Sequence, residues 1–167
     1  HKKRFKIYEQ TKNMRLSSCA VCLSNEIDKF GLSVANNLAI IRSLYCLLNQ
    51  INFRFKNQKK FCIYLDGKIL PDFSEIQSLK KPLLSLPKNK INTVVRGDNK
   101  IISISLASII AKVTRDKLME KYDKKYPIYN FKKNVGYGTK FHLQMIEKYG
   151  TCNIHRRSFK PISTIYS

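Results

Sequence analysis

Two short strand-like runs, each delivered to an aspartate beside a glycine, constrain this chain most. Phe61-Cys62-Ile63-Tyr64-Leu65 is continuously apolar and ends at Asp66-Gly67, a pattern that suits a strand buried on both faces. Ile91-Asn92-Thr93-Val94-Val95 runs through Arg96 into Gly97-Asp98, and a serine- and alanine-rich stretch follows at once. That stretch predicts a helix over 103–124, stopping before Tyr126-Pro127 because a residue that precedes proline disfavours helix. Strand, acid and helix in this order describe an α/β layer, and open α/β sheets bind ligands at the carboxyl ends of their strands. Two carboxylates brought together at that edge repel each other unless a cation lies between them. Oxygen-only ligation in a basic protein points to Mg²⁺ or Mn²⁺. The competing reading makes either aspartate a turn or N-cap residue, its common fate beside glycine or at a helix start.

The remaining segments fit one α/β domain of 167 residues, without internal repeat or linker. Residues 1–13 read as the end of a basic amphipathic helix, and 16–25 as a buried strand of small apolar residues. Glu26-Ile27-Asp28 leads through Gly31 into a helix over about 32–51, where Leu38, Ile41, Leu44, Tyr45 and Leu48 recur at three- and four-residue steps. Arg54 to Lys60 is a basic loop. Residues 68–90, with Pro71, Pro82 and Pro87, make a long connection. A last short helix is expected over 139–149, capped by Gly150. Residues 1–150 form the domain and 151–167 a basic tail. The chain opens on His1 in mid-helix, which suggests a start inside a longer protein. No apolar run approaches the ~18–20 residues of a membrane span.

Charge narrows the partner. Lys and Arg number 32 against 11 Asp and Glu, a net charge of +21, and such an excess is best tolerated beside a polyanion. Nucleic acid leads, an anionic membrane surface comes second, and a merely lysine-rich surface is the bland alternative. The five cysteines, an odd number, read as reduced core thiols of a cytoplasmic protein. Cys19 and Cys22 make a lone CxxC, where buried strand cysteines compete with a zinc or redox pair.

On the long helix, Ser103, Ser105, Ser108, Ala107 and Ala111 make one face small enough for a sheet to approach. Lys112 and Arg115, three apart, either face a phosphate backbone or point into solvent. Gly136-Tyr137-Gly138-Thr139 sets an aromatic hydroxyl between two flexible residues. There it stacks on a sugar or base and bonds a 2′-OH, or it is a plain surface turn. His142 and His155 are solvent-exposed or structural histidines.

Three segments carry a family resemblance: GDNKIISISLASIIAKVTRDKLMEKYDKKYP, GYGTKFHLQMIEKYG and HRRSFKP. Together they resemble the second half of ribonuclease HII. YLDG at 64–67 is similar to the family strand that carries its third acidic ligand, and NEIDKFGLSVANNLAIIRSL at 25–44 resembles the family's EID segment with its following helix. The resemblance implies a ribonuclease H-like fold, a mixed sheet flanked by helices, in a monomer without membrane association. It implies an endonuclease that cuts the RNA strand of RNA–DNA hybrids and ribonucleotides embedded in duplex DNA. Four carboxylates of the family bind Mg²⁺ or Mn²⁺ for two-metal hydrolysis. Asp66 and Asp98 match two of them. Tyr137, flanked by Gly136 and Gly138, matches the tyrosine that contacts the ribonucleotide, and Ser105, Lys112 and Arg115 fall on the helix lining the nucleic-acid groove.

The sequence departs from the family at one place. The adjacent Asp-Glu pair of the family's glycine-rich DEVGRG segment is not matched in these residues, nor are its first strands. Two expectations follow: an endonuclease given without its amino-terminal part, or a basic nucleic-acid-binding protein of this family without catalysis.

Overall fold

The protein was analysed as a computed structural model, which describes residues 2–12, 17–55, 62–68 and 91–165. Helix α1, Lys2–Lys12, lies against the later helix α3 (Ile102–Lys125). Lys117 of α3 holds it: its ammonium sits 4.2 Å from the Tyr8 ring centre and 3.7 Å from Glu9 Oε1. The basic stem thus covers an aromatic face while the charge keeps an acidic partner.

Residues 17–23 are not a strand. They run without regular structure along helix α2, Ser24–Phe55, and their polar groups reach it singly: the Ser18 hydroxyl donates to the Ser43 carbonyl and the Cys22 thiol to the Ala35 carbonyl, 2.9 Å. Small apolar residues suit a buried strand, but a strand needs a ladder partner, and among the described residues none pairs with this segment. The cysteine expectation is corrected with it. Cys19, Cys46 and Cys62 are exposed and Cys22 is half-buried, while Cys152, also half-buried, does pack against the core.

Helix α2 begins earlier than its apolar period suggested. Glu26 starts it by accepting the Leu23 amide at 2.9 Å, the acidic half of a capping box, and pairs with Arg42 at 2.6 and 3.2 Å. Gly31, at φ 79 and ψ 166, breaks the helix into two pieces. By length and composition Ser24–Ile51 is apolar enough to cross a membrane, with mean hydropathy 1.3, a property that counting continuous apolar runs missed. The Gly31 break and the Arg42–Glu26 ion pair interrupt the stretch.

Strands β1, Ile63–Asp66, and β2, Ile91–Val94, are parallel neighbours, with Ile63 opposite Ile91 and Asp66 opposite Val94. They are the only strands among the described residues, and they form a parallel pair. Burial on both faces is also corrected: Ile63 is buried, but Tyr64 on the opposite face is 43% exposed. Apart from Lys68, the 68–90 connection lies outside the described residues, as do residues 56–60 of the basic loop.

After β2 a single 3-10 turn, Gly97–Asn99, leads into α3. Its sheet-side anchor is Ile104, buried against Gly97, whereas Ala107 and Ala111 of the small-residue face are exposed. Small residues permit close approach, yet the larger Ile104 gains more by leaving water and takes the inner position. As the proline predicted, α3 ends at Lys125; a 3-10 turn Pro127–Tyr129, helix α4 (Phe131–Asn134), helix α5 (Lys140–Tyr149) and the short α6 (Ile162–Ile165) follow. Thr139 caps α5 through its hydroxyl, which accepts the His142 amide, and Gly150 ends it.

The main core sits in this last part. Tyr129, Phe131, Ile146 and Ile162 pack together, joined by Met119, Tyr122 and Ile154. Residues 151–165 are therefore integrated with the domain, and Asp28 anchors them: its carboxylate accepts the amides of Arg157 (2.9 Å) and Ser158 (3.0 Å) and the Ser158 hydroxyl (2.6 Å). Burial opposes ionisation of Asp28, but these donors outweigh it and hold the carboxyl below its ordinary value.

Candidate functional site

The two parallel strands put both aspartates at one edge. Asp66 is the last residue of β1 and exposed, and Asp98 stands half-buried in the turn beyond β2. What joins the two strand ends is a hydrogen bond from the Gly97 amide to Asp66 Oδ1, 2.9 Å. The residue next to Asp98 therefore orients the carboxylate of Asp66. Gly97 is buried, and a Cβ there would lie 2.5 Å from Ile104 Cδ1 and 3.5 Å from Asp66 Oδ1. Glycine lets the first turn of α3 close onto the strand ends without displacing the Ile104 side chain. Arg96, at φ 54, turns the chain into it.

From this edge a stripe of α3 leads away. Ser105, Ser108, Lys112, Arg115 and Met119 recur at three- and four-residue steps and share one face. The rise from Ser105 to Arg115 is about 15 Å. Lys112 is exposed, and Ser105 half-buried. Arg115 is committed locally: its Nη2 donates to the Val135 carbonyl at 2.9 Å, and its guanidinium lies 5.0 Å from the centre of the Tyr137 ring. Tyr137 is 63% exposed, so its ring is backed by a cation on one side and open on the other.

The Tyr137 turn is fastened at several peptides, and the Tyr137 carbonyl accepts the Thr139 amide at 2.8 Å. Asn134, buried, accepts the Gly136 amide through Oδ1 (2.8 Å) and the Tyr137 amide through its own carbonyl (2.8 Å), while its Nδ2 donates to the Tyr129 carbonyl. Val135 adopts φ 51, a left-handed conformation that a β-branched residue rarely takes. Gly136 follows at φ 78 with Met119 Cε 3.6 Å from where a Cβ would be, and Gly138 is as close to Leu143. His142 Nδ1 lies 2.9 Å from the Tyr137 carbonyl. Neither histidine is in solvent: both are buried, with their Nε2 atoms 3.0 Å apart. Beside them an open cleft of about 1290 Å³ runs between the 19–29 segment, the Ala111–Tyr126 face of α3 and the C-terminal residues, and neither aspartate lines it.

A family model for ribonuclease HII matches residues 2–162. The chain belongs to the ribonuclease HII family. It is 39% identical to the ribonuclease HII of Natranaerobius thermophilus over 98% of this chain and 72% of that protein. The corresponding figures are 40%, 98% and 68% for the ribonuclease HII of Ehrlichia chaffeensis, and 45%, 70% and 44% for that of Enterococcus faecalis. Ribonuclease HII proteins are endoribonucleases, enzymes whose substrate is nucleic acid, and the basic composition accords with that class of substrate. Among the described residues, which are mostly helical, the α/β fold of the family shows as two parallel strands.

Asn134 and Val135, which build this site, were not singled out from sequence, and the two histidines, noted as solvent-exposed or structural, gave no sign that they meet; all four act through contacts that no periodicity encodes. Gly97 carried a visible signal, a glycine directly before the acid, but its role as donor to Asp66 needed the strand register.

Proposed function

We propose that this chain carries the nucleic-acid face and part of the metal site of an endoribonuclease that cuts the RNA strand of RNA–DNA hybrids and ribonucleotides embedded in duplex DNA. The observation that carries the reading is the Gly97–Asp66 hydrogen bond, which ties two acid-bearing strand ends into one edge of a parallel pair. Asp66 and Asp98 offer hard oxygen donors, one exposed and one half-buried, and that donor set fits Mg²⁺ or Mn²⁺. A divalent cation held there supplies a Lewis acid for phosphodiester hydrolysis. The chain's own part is to orient and to bind. Gly97 fixes one oxygen of Asp66 through its amide, so the other faces the ligand side without rotamer search. Lys112 neutralises a phosphate from the exposed stripe of α3, with Ser105 beside it nearer the acids. Tyr137, held open-faced by Arg115, Gly136 and Gly138, stacks on the sugar at the ribonucleotide and offers its hydroxyl to the 2′-OH.

The second reading is a basic nucleic-acid-binding protein of this family without catalysis. A single experiment separates the two. The full-length gene product is incubated with a duplex containing one ribonucleotide, with Mg²⁺ or Mn²⁺, alongside Asp98→Asn. Metal-dependent cutting by the native protein, lost in Asp98→Asn with hybrid affinity kept within about threefold, supports the enzyme. Binding without cutting under either metal transfers the conclusion to the second reading.

A further inference from the structure

The two buried histidines are joined into a chain of hydrogen bonds whose direction the backbone dictates. Cys152 donates its amide to His155 Nδ1 at 2.9 Å, so that nitrogen carries no proton. In a neutral ring the proton then sits on His155 Nε2, which faces His142 Nε2 at 3.0 Å. His142 Nε2 must accept, which leaves its own proton on Nδ1, and Nδ1 meets the Tyr137 carbonyl at 2.9 Å. Every donor meets an acceptor, from the Cys152 amide to the Tyr137 carbonyl. A proton added to His142 would set two N–H groups against each other between the Nε2 atoms, and one added to His155 would set Nδ1–H against the Cys152 amide.

The surroundings favour the neutral form of His155. His155 stands edge-on to Tyr129, 4.9 Å between ring centres, and His142 edge-on to Phe131 at 5.3 Å. The titratable groups facing the pair are the Cys152 thiol, 3.2 Å from His155 Nδ1, and the Tyr129 phenol, which donates to the Gly150 carbonyl. Lys125, at the end of α3, acts on that thiol. No carboxylate is among the described contacts of either ring. Burial, and then the neighbouring His142, push His155 down to about 4.

The Tyr137 turn is where such a relay matters. Val135 at φ 51 would relax if released; Phe131, Arg115 and Asn134 hold the peptides before Tyr137, and the Tyr137 carbonyl itself is held by His142 Nδ1 together with the Thr139 amide, 2.8 Å.

We propose that His142 and His155 are positioning residues: a neutral, one-directional hydrogen-bond relay that fixes the Tyr137 carbonyl and so aims the Tyr137 ring at the nucleic acid. The nucleic-acid role of Tyr137 is taken from the proposed function; the relay itself does not depend on it. Asn at position 142 can keep a donor where Nδ1 was, whereas Leu keeps the bulk and loses the bond.

The test uses the full-length protein in two arms. ¹⁵N-histidine two-bond proton–nitrogen NMR at neutral pH reads the tautomers directly. His142 protonated on Nδ1 and His155 on Nε2, both neutral, is the expected result; an imidazolium or the opposite tautomer in either ring overturns the relay. In the second arm, His142→Leu should lower kcat/KM on a single-ribonucleotide duplex by about tenfold, the scale of one positioned hydrogen bond, at unchanged folded fraction. His142→Asn should stay within about threefold of native. Equal losses in the two variants, or none in His142→Leu while Tyr137→Ala is impaired, overturn the positioning role. A Tyr137→Ala protein that cuts normally sinks the role of the tyrosine instead, and the NMR arm still decides the relay. Should His142→Leu not fold, His142→Asn and the tautomers of the native protein decide it.

Discussion

Gly97→Ala tests the closest approach in the candidate site. The added methyl would lie 2.5 Å from Ile104 Cδ1 and 3.4 Å from Val94 Cβ. No backbone strain arises, because Gly97 is not at positive φ; the cost is steric. Ile104 is only 6% exposed, but the atom in the way is the far end of its side chain, which can turn. That places the cost low in the range for overpacking, about 1–2 kcal/mol, or a fall in Tm of roughly 2–8 °C for a domain of this size. Ile104→Val deletes the clashing Cδ1 and by itself costs about 0.5–1.5 kcal/mol. The double variant should therefore be more stable than the sum of the two, by about 1 kcal/mol of coupling, read by urea unfolding of all four proteins. The same cycle read as cleavage should show a larger loss in Gly97→Ala than its stability explains, because the Gly97 amide moves off Asp66. Additive stabilities, or full activity in Gly97→Ala, would refute the reasoning.

Two further outcomes are expected. Asp28→Asn should destabilise the protein by about 1–2 kcal/mol at neutral pH, three partly solvated hydrogen bonds to a charge being replaced by weaker ones. Since the folded carboxyl lies below its ordinary 3.8, this stabilisation is present above that value and lost as pH falls through the lower, folded one. The gap to native should close in acid, and a gap independent of pH would remove the charge from the explanation. Lys112→Ala should weaken hybrid binding at every sequence and reduce the slope of log K against log salt by about 1; an unchanged slope would mean that Lys112 meets no phosphate.

The long-range ties explain what sequence could and could not say here. Helices α3 and α5 ended where Pro127 and Gly150 indicated, because those signals act within one turn of the backbone they terminate. Both strands emerged where the runs stood, and each acid at its carboxyl end. The 17–23 segment failed for a definite reason: composition reports that a strand could form, but a strand needs a ladder partner, and among the described residues none pairs with it. Arg115 drew attention as a charge, yet whether a guanidinium meets a phosphate or a tyrosine ring depends on a turn 20 residues further along.

The sequence by itself determined the family, the basic character and the placing of Asp66, Asp98 and Tyr137 at element ends, all of which follow from local order along the chain. Tertiary structure alone decided that Gly97 orients Asp66 across 31 residues, that Asp28 holds the basic C-terminal segment across 130, and that two histidines 13 apart meet through their Nε2 atoms. A hydrogen bond depends on tenths of an ångström between groups whose separation in sequence sets no distance, and only packing supplies that distance.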